Sequence, residues 1–303
     1  MGTDVDLTAV SLDEAARRWL EHCQPRVRAR TREMYAATLR VLLDWCRDQG
    51  LGLDQLDQAV LDRWASHLQE PRPDGRLRSE ETIRTYARIA NLFLRWTARA
   101  HLTGELHAPA PRRRPRVVHV LSQDEIRRLE QAATHERDAL LVRVLADTGI
   151  RAGELLALRV RDVLSERDTG SVPQLVVRGK GGSRLVGISP RLERRLRRLI
   201  VTRPTRPGPD DPVWVTLTRP IRPLTHRGLR NVLTTLAREA GLDRRVHAHL
   251  FRHTFATRWL NAGGDSLVLA RALGHRSLAM VQQTYVHLAA DEVAREMVRR
   301  QRS

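Results

Sequence analysis

Residues 174–189 read QLVVRGKGGSRLVGIS, the one β-rich stretch in a chain whose remaining patterned segments read as helix. Two short runs with β-branched residues flank a glycine-bounded GKGG turn, which predicts a hairpin or a small antiparallel sheet. Upstream, a Ser122–Glu125 capping box (SQDE) opens a helix over 123–133, and a second helix covers 136–148. Downstream, Arg191 to Val201 places Leu192, Leu196, Leu199 and Ile200 on one face. Helices at 225–240, 249–262, 266–273 and 291–300 complete this half. The expected fold class is mainly α with a small antiparallel β-sheet.

The first hundred residues predict a helical bundle of their own. Ser11 and Glu14 (SLDE) suggest a capping box ahead of Leu12, Ala15, Ala16, Trp19 and Leu20 at helical spacing. Further helices are expected over 31–49, 56–69 and 79–99, with the turn formers PRPDGR between the last two. Trp19, Trp45, Trp64 and Trp96 are expected in the core, with Tyr35 and Tyr86 packing beside them. Residues 108–116, APAPRRRPR, alternate proline and arginine, a pattern that predicts an extended basic linker. The expected division is therefore a helical domain at 1–107, a linker at 108–117 and a second domain at 118–303.

Composition narrows the partner. The 303 residues are 41% hydrophobic and 29% charged, within the folded class, and no run of about 18 apolar residues is present to span a membrane. The acidic start MGTDVDLTAV lacks an apolar signal core, and Cys23 and Cys46 are too few for a disulfide framework. A reduced, cytoplasmic protein is expected. Lys plus Arg reach 53 against 35 acidic residues, a net charge of +18. Such an excess suits DNA, where each neutralised phosphate releases a counterion. Lys180 is the only lysine; every other basic residue counted is arginine.

Four motifs follow in order: TGIRAGELLAL (148–158), RGKGGSRLV (178–186), HLFRHTFATRWL (249–260) and LGHRSLAMVQQTYVHL (273–288). Together they resemble the catalytic domain of the tyrosine recombinases, the phage integrase and Xer-type family, over roughly 118–290. The preceding bundle resembles that family's SAM-like core-binding domain in size and pattern. The resemblance implies a DNA breaking-rejoining domain whose catalytic residues are Arg151, Lys180, His249, Arg252, His275 and the nucleophile Tyr285, with Glu154 helping to hold Arg151. It also implies metal-free transesterification without a cofactor, through a 3′-phosphotyrosine, by a homo- or hetero-tetramer on two DNA sites. Ten residues separate His275 from Tyr285, where the commonest family pattern has nine; members with a TYxH ending tolerate the extra residue.

The residue types suit that chemistry. Attack on a phosphodiester builds negative charge on its non-bridging oxygens, which two guanidinium forks can grip at every working pH. A phenol gives a stable but reversible phosphodiester. The leaving 5′-oxygen needs a proton donor whose pKa can be tuned toward 7; lysine can be tuned so and arginine cannot. The sole lysine stands at the position the motif requires for this role. His249 lies three residues before Arg252, on one helix face, and can exchange a proton near neutral pH.

Other readings compete. His247, His249 and His253 could suggest a metal site, but HExxH is absent and the stretch holds no carboxylate or cysteine. LNAGGDSLVLARALGH resembles a helix–turn–helix repressor, which explains the charge but neither Lys180 nor Tyr285. A type IB topoisomerase would share the chemistry. The tail of about 18 residues after Tyr285, with Val293, Met297 and Val298 as an apolar helix face, favours the recombinase, where such a helix docks on a neighbouring protomer.

Overall fold

The computed structural model describes residues 10–112, 120–179, 182–203 and 206–274. It divides into two compact units, 1–115 and 116–303. Among the described residues no helix is long and apolar enough to cross a membrane.

Among the described residues the first unit holds four helices: α1 (Leu12–Cys23), α2 (Ala29–Asp48), α3 (Gln58–His67) and α4 (Glu80–Arg99). Ser11, Asp57 and Ser79 cap α1, α3 and α4 by accepting a backbone N–H with their side chains. At Ser11 only half of the expected box forms. Glu14 donates its amide to Ser11, but its carboxylate turns outward to Arg17 and Arg18, because two guanidiniums outcompete one N-cap amide. Trp19 and Trp64 are buried with Leu39, Leu42, Phe93 and Leu94, while Trp45 and Trp96 pack at the margin. Tyr35 stacks on Trp19 with ring centroids 5.6 Å apart.

The first residue of the proline–arginine stretch is anchored to this unit. Gln58 Nε2 donates to the His107 carbonyl at 2.8 Å, and the His107 amide donates back to Gln58 Oε1. Asn91 repeats the arrangement on Ala108, giving 2.9 Å and accepting at 2.7 Å. Ala108 is fully buried as a result. Two side-chain amides thus supply the backbone pairing that proline-flanked residues cannot get from a helix or a ladder.

In the second unit come α5 (Gln123–Gln131), α6 (Glu136–Thr148), α7 (Ala152–Leu156), β1 (Val163–Leu164), α8 (Glu166–Thr169), β2 (Gln174–Gly179), β3 (Gly182–Gly187), α9 (Pro190–Val201), α10 (His226–Glu239), α11 (Ala248–Asn261) and α12 (Ser266–Leu273). The Ser122–Glu125 box is complete. The sheet is antiparallel in the order β1-β2-β3, with Gln174 opposite Gly187 and Gly179 opposite Gly182. Lys180 and Gly181, between the last pair, lie outside the described residues. Alternation along β2 and β3 buries Leu175, Val177 and Val186 against Leu140, Leu145 and Leu155. The α11 helix buries Phe251, Arg252, Thr254 and Ala256. The expected helix at 291–300 falls outside the described residues.

Candidate active site

The TGIR segment builds one corner of the site residue by residue. Thr148 ends α6 with its hydroxyl on the Val144 carbonyl at 2.5 Å. Gly149 follows in the left-handed conformation, φ +60°, and donates to the Leu145 carbonyl. A Cβ there would stand 2.7 Å from the Phe255 ring, so conformation and packing both require glycine. Ile150 is buried in the core. Arg151 becomes the N-cap of α7, and its amide donates to Glu154 Oε2 at 2.9 Å.

Glu154 is the hub of a charged cluster. It is only 5% exposed, and its carboxylate accepts from Arg151 Nη1 at 2.9 Å, Arg184 Nη1 at 3.1 Å and Arg184 Nη2 at 2.8 Å. Burial pushes this carboxyl up. The Arg184 hydrogen bonds, the Arg151 amide and the Arg184 charge reverse that push and hold it below the usual carboxylate range.

The C-terminal end of α12 supplies the remaining negative pole. Arg184 Nε donates to the Ala272 carbonyl at 2.6 Å, while Arg151 Nη1 and Arg252 Nη2 both donate to the Leu273 carbonyl, at 3.3 and 2.8 Å. Arg252 Nη1 also donates to the Gly149 carbonyl at 3.0 Å. Three guanidiniums therefore converge where helix carbonyls have no partner along the helix and carry partial negative charge. One carboxylate and three backbone oxygens offset their mutual repulsion.

The two expected forks differ in exposure. The Arg151 side chain is 44% exposed, and its Nε and Nη2 make no hydrogen bond to the described residues. Arg252 is 2% exposed and braces the corner from within.

His249 sits in the first turn of α11, where His247 is the N-cap and accepts the Leu250 amide on Nδ1 at 3.1 Å. His249 meets His253 edge to face, centroids 4.4 Å apart. Partial desolvation, the Arg252 charge, His247 and Arg151 hold the His249 imidazole below its ordinary value, so it is neutral at pH 7. Burial, then His249 and Arg252, lowers His253 to about 4.

The structure thus gathers Arg151, Glu154 and Arg252 at the end of α12, with His249 near enough to Arg252 and Arg151 to feel both charges. Lys180, His275 and Tyr285 lie outside the described residues. Their chain neighbours are placed: Gly179 passes so close to Glu154 that a Cβ would fall 2.9 Å from Oε1, and Gly274 follows Leu273 directly. Motif reading did not single out Arg184. Its signal is strand phase: it shares the core-side face of β3 with Val186, where a charge must find a partner.

Comparison with known proteins agrees with the motifs. The model of the phage integrase family matches residues 119–292. The tyrosine recombinase XerC of Xanthomonas campestris pv. campestris (strain B100) is 31% identical over 305 residues, covering 97% of this chain and 88% of that protein. The tyrosine recombinase XerA of Saccharolobus solfataricus is 27% identical over 278 residues, with coverage of 89% and 86%. Among solved structures, the XerH site-specific recombinase in its pre-cleavage complex with difH substrate shares the fold, with a TM-score of 0.66 at 20% identity over 91% of this chain and 83% of that one. The charged corner at the end of α12 therefore belongs to a member of the phage integrase family, and the chain is a tyrosine recombinase.

Proposed function

We propose that this chain carries out site-specific recombination by cutting and rejoining two DNA duplexes through Tyr285. The observation that carries the residue assignment is the half-exposed Arg151 fork, held at its base by Glu154 and by the Leu273 carbonyl that Arg252 also grips. Such a fork offers two N–H groups to one phosphate, and family membership supplies the reaction to which that geometry is suited.

In this mechanism the Tyr285 oxygen attacks phosphorus and forms a P–O bond, while the bond from phosphorus to the 5′-oxygen breaks. His249, neutral at pH 7, accepts the phenolic proton. Lys180 gives a proton to the departing 5′-oxygen. Arg151, braced by Arg252, offsets the charge that grows on the non-bridging oxygens, and His275 donates to one of them. The 5′-hydroxyl of a partner strand then attacks the 3′-phosphotyrosine and reverses each proton transfer. Bond energy is conserved throughout, so neither ATP nor a cofactor enters.

The division of labour follows the two units: residues 1–107 grip the core DNA, the basic stretch at 108–117 tracks phosphates, and 118–303 carry the chemistry. Strand exchange between two sites calls for four protomers, either copies of this chain or this chain with a partner recombinase. The segment 291–300, with Val293, Met297 and Val298 on one face, would couple neighbours.

The test is a library of nicked duplexes randomised across the core, incubated with protein in EDTA. The expected result is a DNA adduct that survives detergent, with Lys180→Arg keeping DNA affinity while adduct formation slows about 100-fold or more. An adduct that forms at the wild-type rate in Lys180→Arg would remove that residue from the mechanism, and no adduct on any duplex would remove the mechanism itself.

A further inference from the structure

We propose that Arg184 is a positioning residue for the cleavage step, one that saturates the Glu154 carboxylate and so leaves the outer half of the Arg151 fork for the phosphate. The inference rests on the strand-exchange reading and adds to it a residue that neither the motifs nor the mechanism assigned.

A carboxylate offers about four acceptor sites on two oxygens. Glu154 fills them with the Arg151 amide, Arg151 Nη1 and the two Arg184 Nη groups. Without Arg184 two of those sites would stand empty in a buried carboxylate, a costly state. The nearest guanidinium with unspent N–H groups is that of Arg151. Its fork would turn inward to meet the carboxylate side by side, the geometry most favourable to an arginine–carboxylate pair. The groups that face the phosphate would then be consumed.

Two glycines keep the space that Arg184 and Glu154 occupy. A Cβ at Gly274 would lie 3.0 Å from Arg184 Nη1, and one at Gly179 would lie 2.9 Å from Glu154 Oε1. The Nε bond to Ala272 fixes the guanidinium from its other side. Arg184 thereby ties β3, α7 and α12 together at one point. For stability alone, a well-packed apolar pair in place of both Arg184 and Glu154 would serve as well, because a buried ion pair gains little over hydrocarbon.

The experiment compares wild type, Arg184→Gln, Glu154→Gln and the double variant in single-turnover cleavage of a nicked duplex that the wild type cleaves, at saturating DNA. Arg184→Gln is expected to slow cleavage about 10- to 100-fold at saturating DNA, with DNA affinity close to wild type and a lowered melting temperature. In the Glu154→Gln background the same change is expected to cost less than about threefold, since no buried charge remains to capture Arg151. Arg184→Lys is expected to recover part of the loss. An unchanged rate in Arg184→Gln, or a full loss that persists in the Glu154→Gln background, would overturn the proposal. If Arg184→Gln does not fold, Arg184→Lys enters the same cycle with the same criteria. A wild type that cleaves no duplex marks a separate failure, that of the strand-exchange reading.

Discussion

The two units treat their charges in opposite ways. In the bundle, Arg17 pairs with Glu14 and Glu21 and Arg84 with Glu80 and Glu81, on turns of the same helix. Among its described residues only Thr97 is both polar and buried. In the second unit Arg137, Glu154, Asp162, Glu193 and Arg252 are all buried. Surface pairs contribute little to stability, and a buried charge is costly unless fully partnered. The bundle is therefore held by its Trp19, Trp64 and Phe93 core. The second unit sets ionised groups inside the protein, where their positions are fixed and their charge is least screened by water. Preorganised charge of this kind is what phosphoryl chemistry uses.

The comparison breaks most visibly if the buried charges prove to be mere packing. Arg252→Ala removes its hydrogen bonds to the Gly149 and Leu273 carbonyls. The expected loss is about 2–4 kcal/mol of stability together with a fall of about 100- to 1,000-fold in single-turnover cleavage. Leu42→Ala, in the bundle core, is expected to cost a similar 2–5 kcal/mol while leaving cleavage at saturating DNA within about twofold. Urea titration and quenched-flow cleavage on both variants check the contrast. Equal kinetic damage from the two would dissolve it.

A smaller effect sharpens it. Gly179→Ala places a methyl group against Glu154 Oε1, an atom already held by Arg151 and Arg184. Overpacking here is expected to cost about 1–2 kcal/mol and to slow cleavage about 10-fold. Gly170→Ala, whose Cβ would meet nothing within 4 Å, is expected to affect stability through its left-handed backbone and to leave cleavage unchanged.

A further contrast is the pH dependence of stability. His253 titrates near 4 in the fold and near 6.5 unfolded, and His247 and His249 are lowered in the same direction. In that interval the unfolded chain binds more protons, so stability is complete above about 6.5 and is lost as pH falls toward 4. One such group contributes up to about 1.4 kcal/mol per pH unit there. Urea midpoints at pH 7, 6 and 5 should decline, and His253→Gln should flatten the decline; equal slopes in both proteins would contradict it. In the proposed mechanism a neutral His249 accepts the phenolic proton, so the acidic limb of the cleavage profile is expected below the ordinary histidine value.

The legible parts of the sequence were those governed by local rules. Helix starts at Ser79, Ser122 and Thr225, the hairpin, and the amphipathic faces of α4 and α9 all follow from capping and periodicity. What escaped depends on distant partners. The two-residue strand β1 is too short to carry a period, and it exists because Val163 pairs with Leu175. The anchoring of His107 and Ala108 depends on Gln58 and Asn91, each far along the chain. The burial of Arg252 requires the carbonyl of Leu273, and the role of Arg184 requires Glu154; one arginine among more than fifty bears no mark of either.

In the proposed reaction the charged corner serves attack by Tyr285 on DNA. Its most direct test is to digest the detergent-stable adduct with trypsin and nuclease and to locate the attached nucleotide by mass spectrometry. The expected result is a 3′-linked nucleotide phosphate on Tyr285, in the peptide that begins at Ser277, and no adduct from Tyr285→Phe. A nucleotide on Tyr35 or Tyr86, or an adduct that persists in Tyr285→Phe, would contradict it.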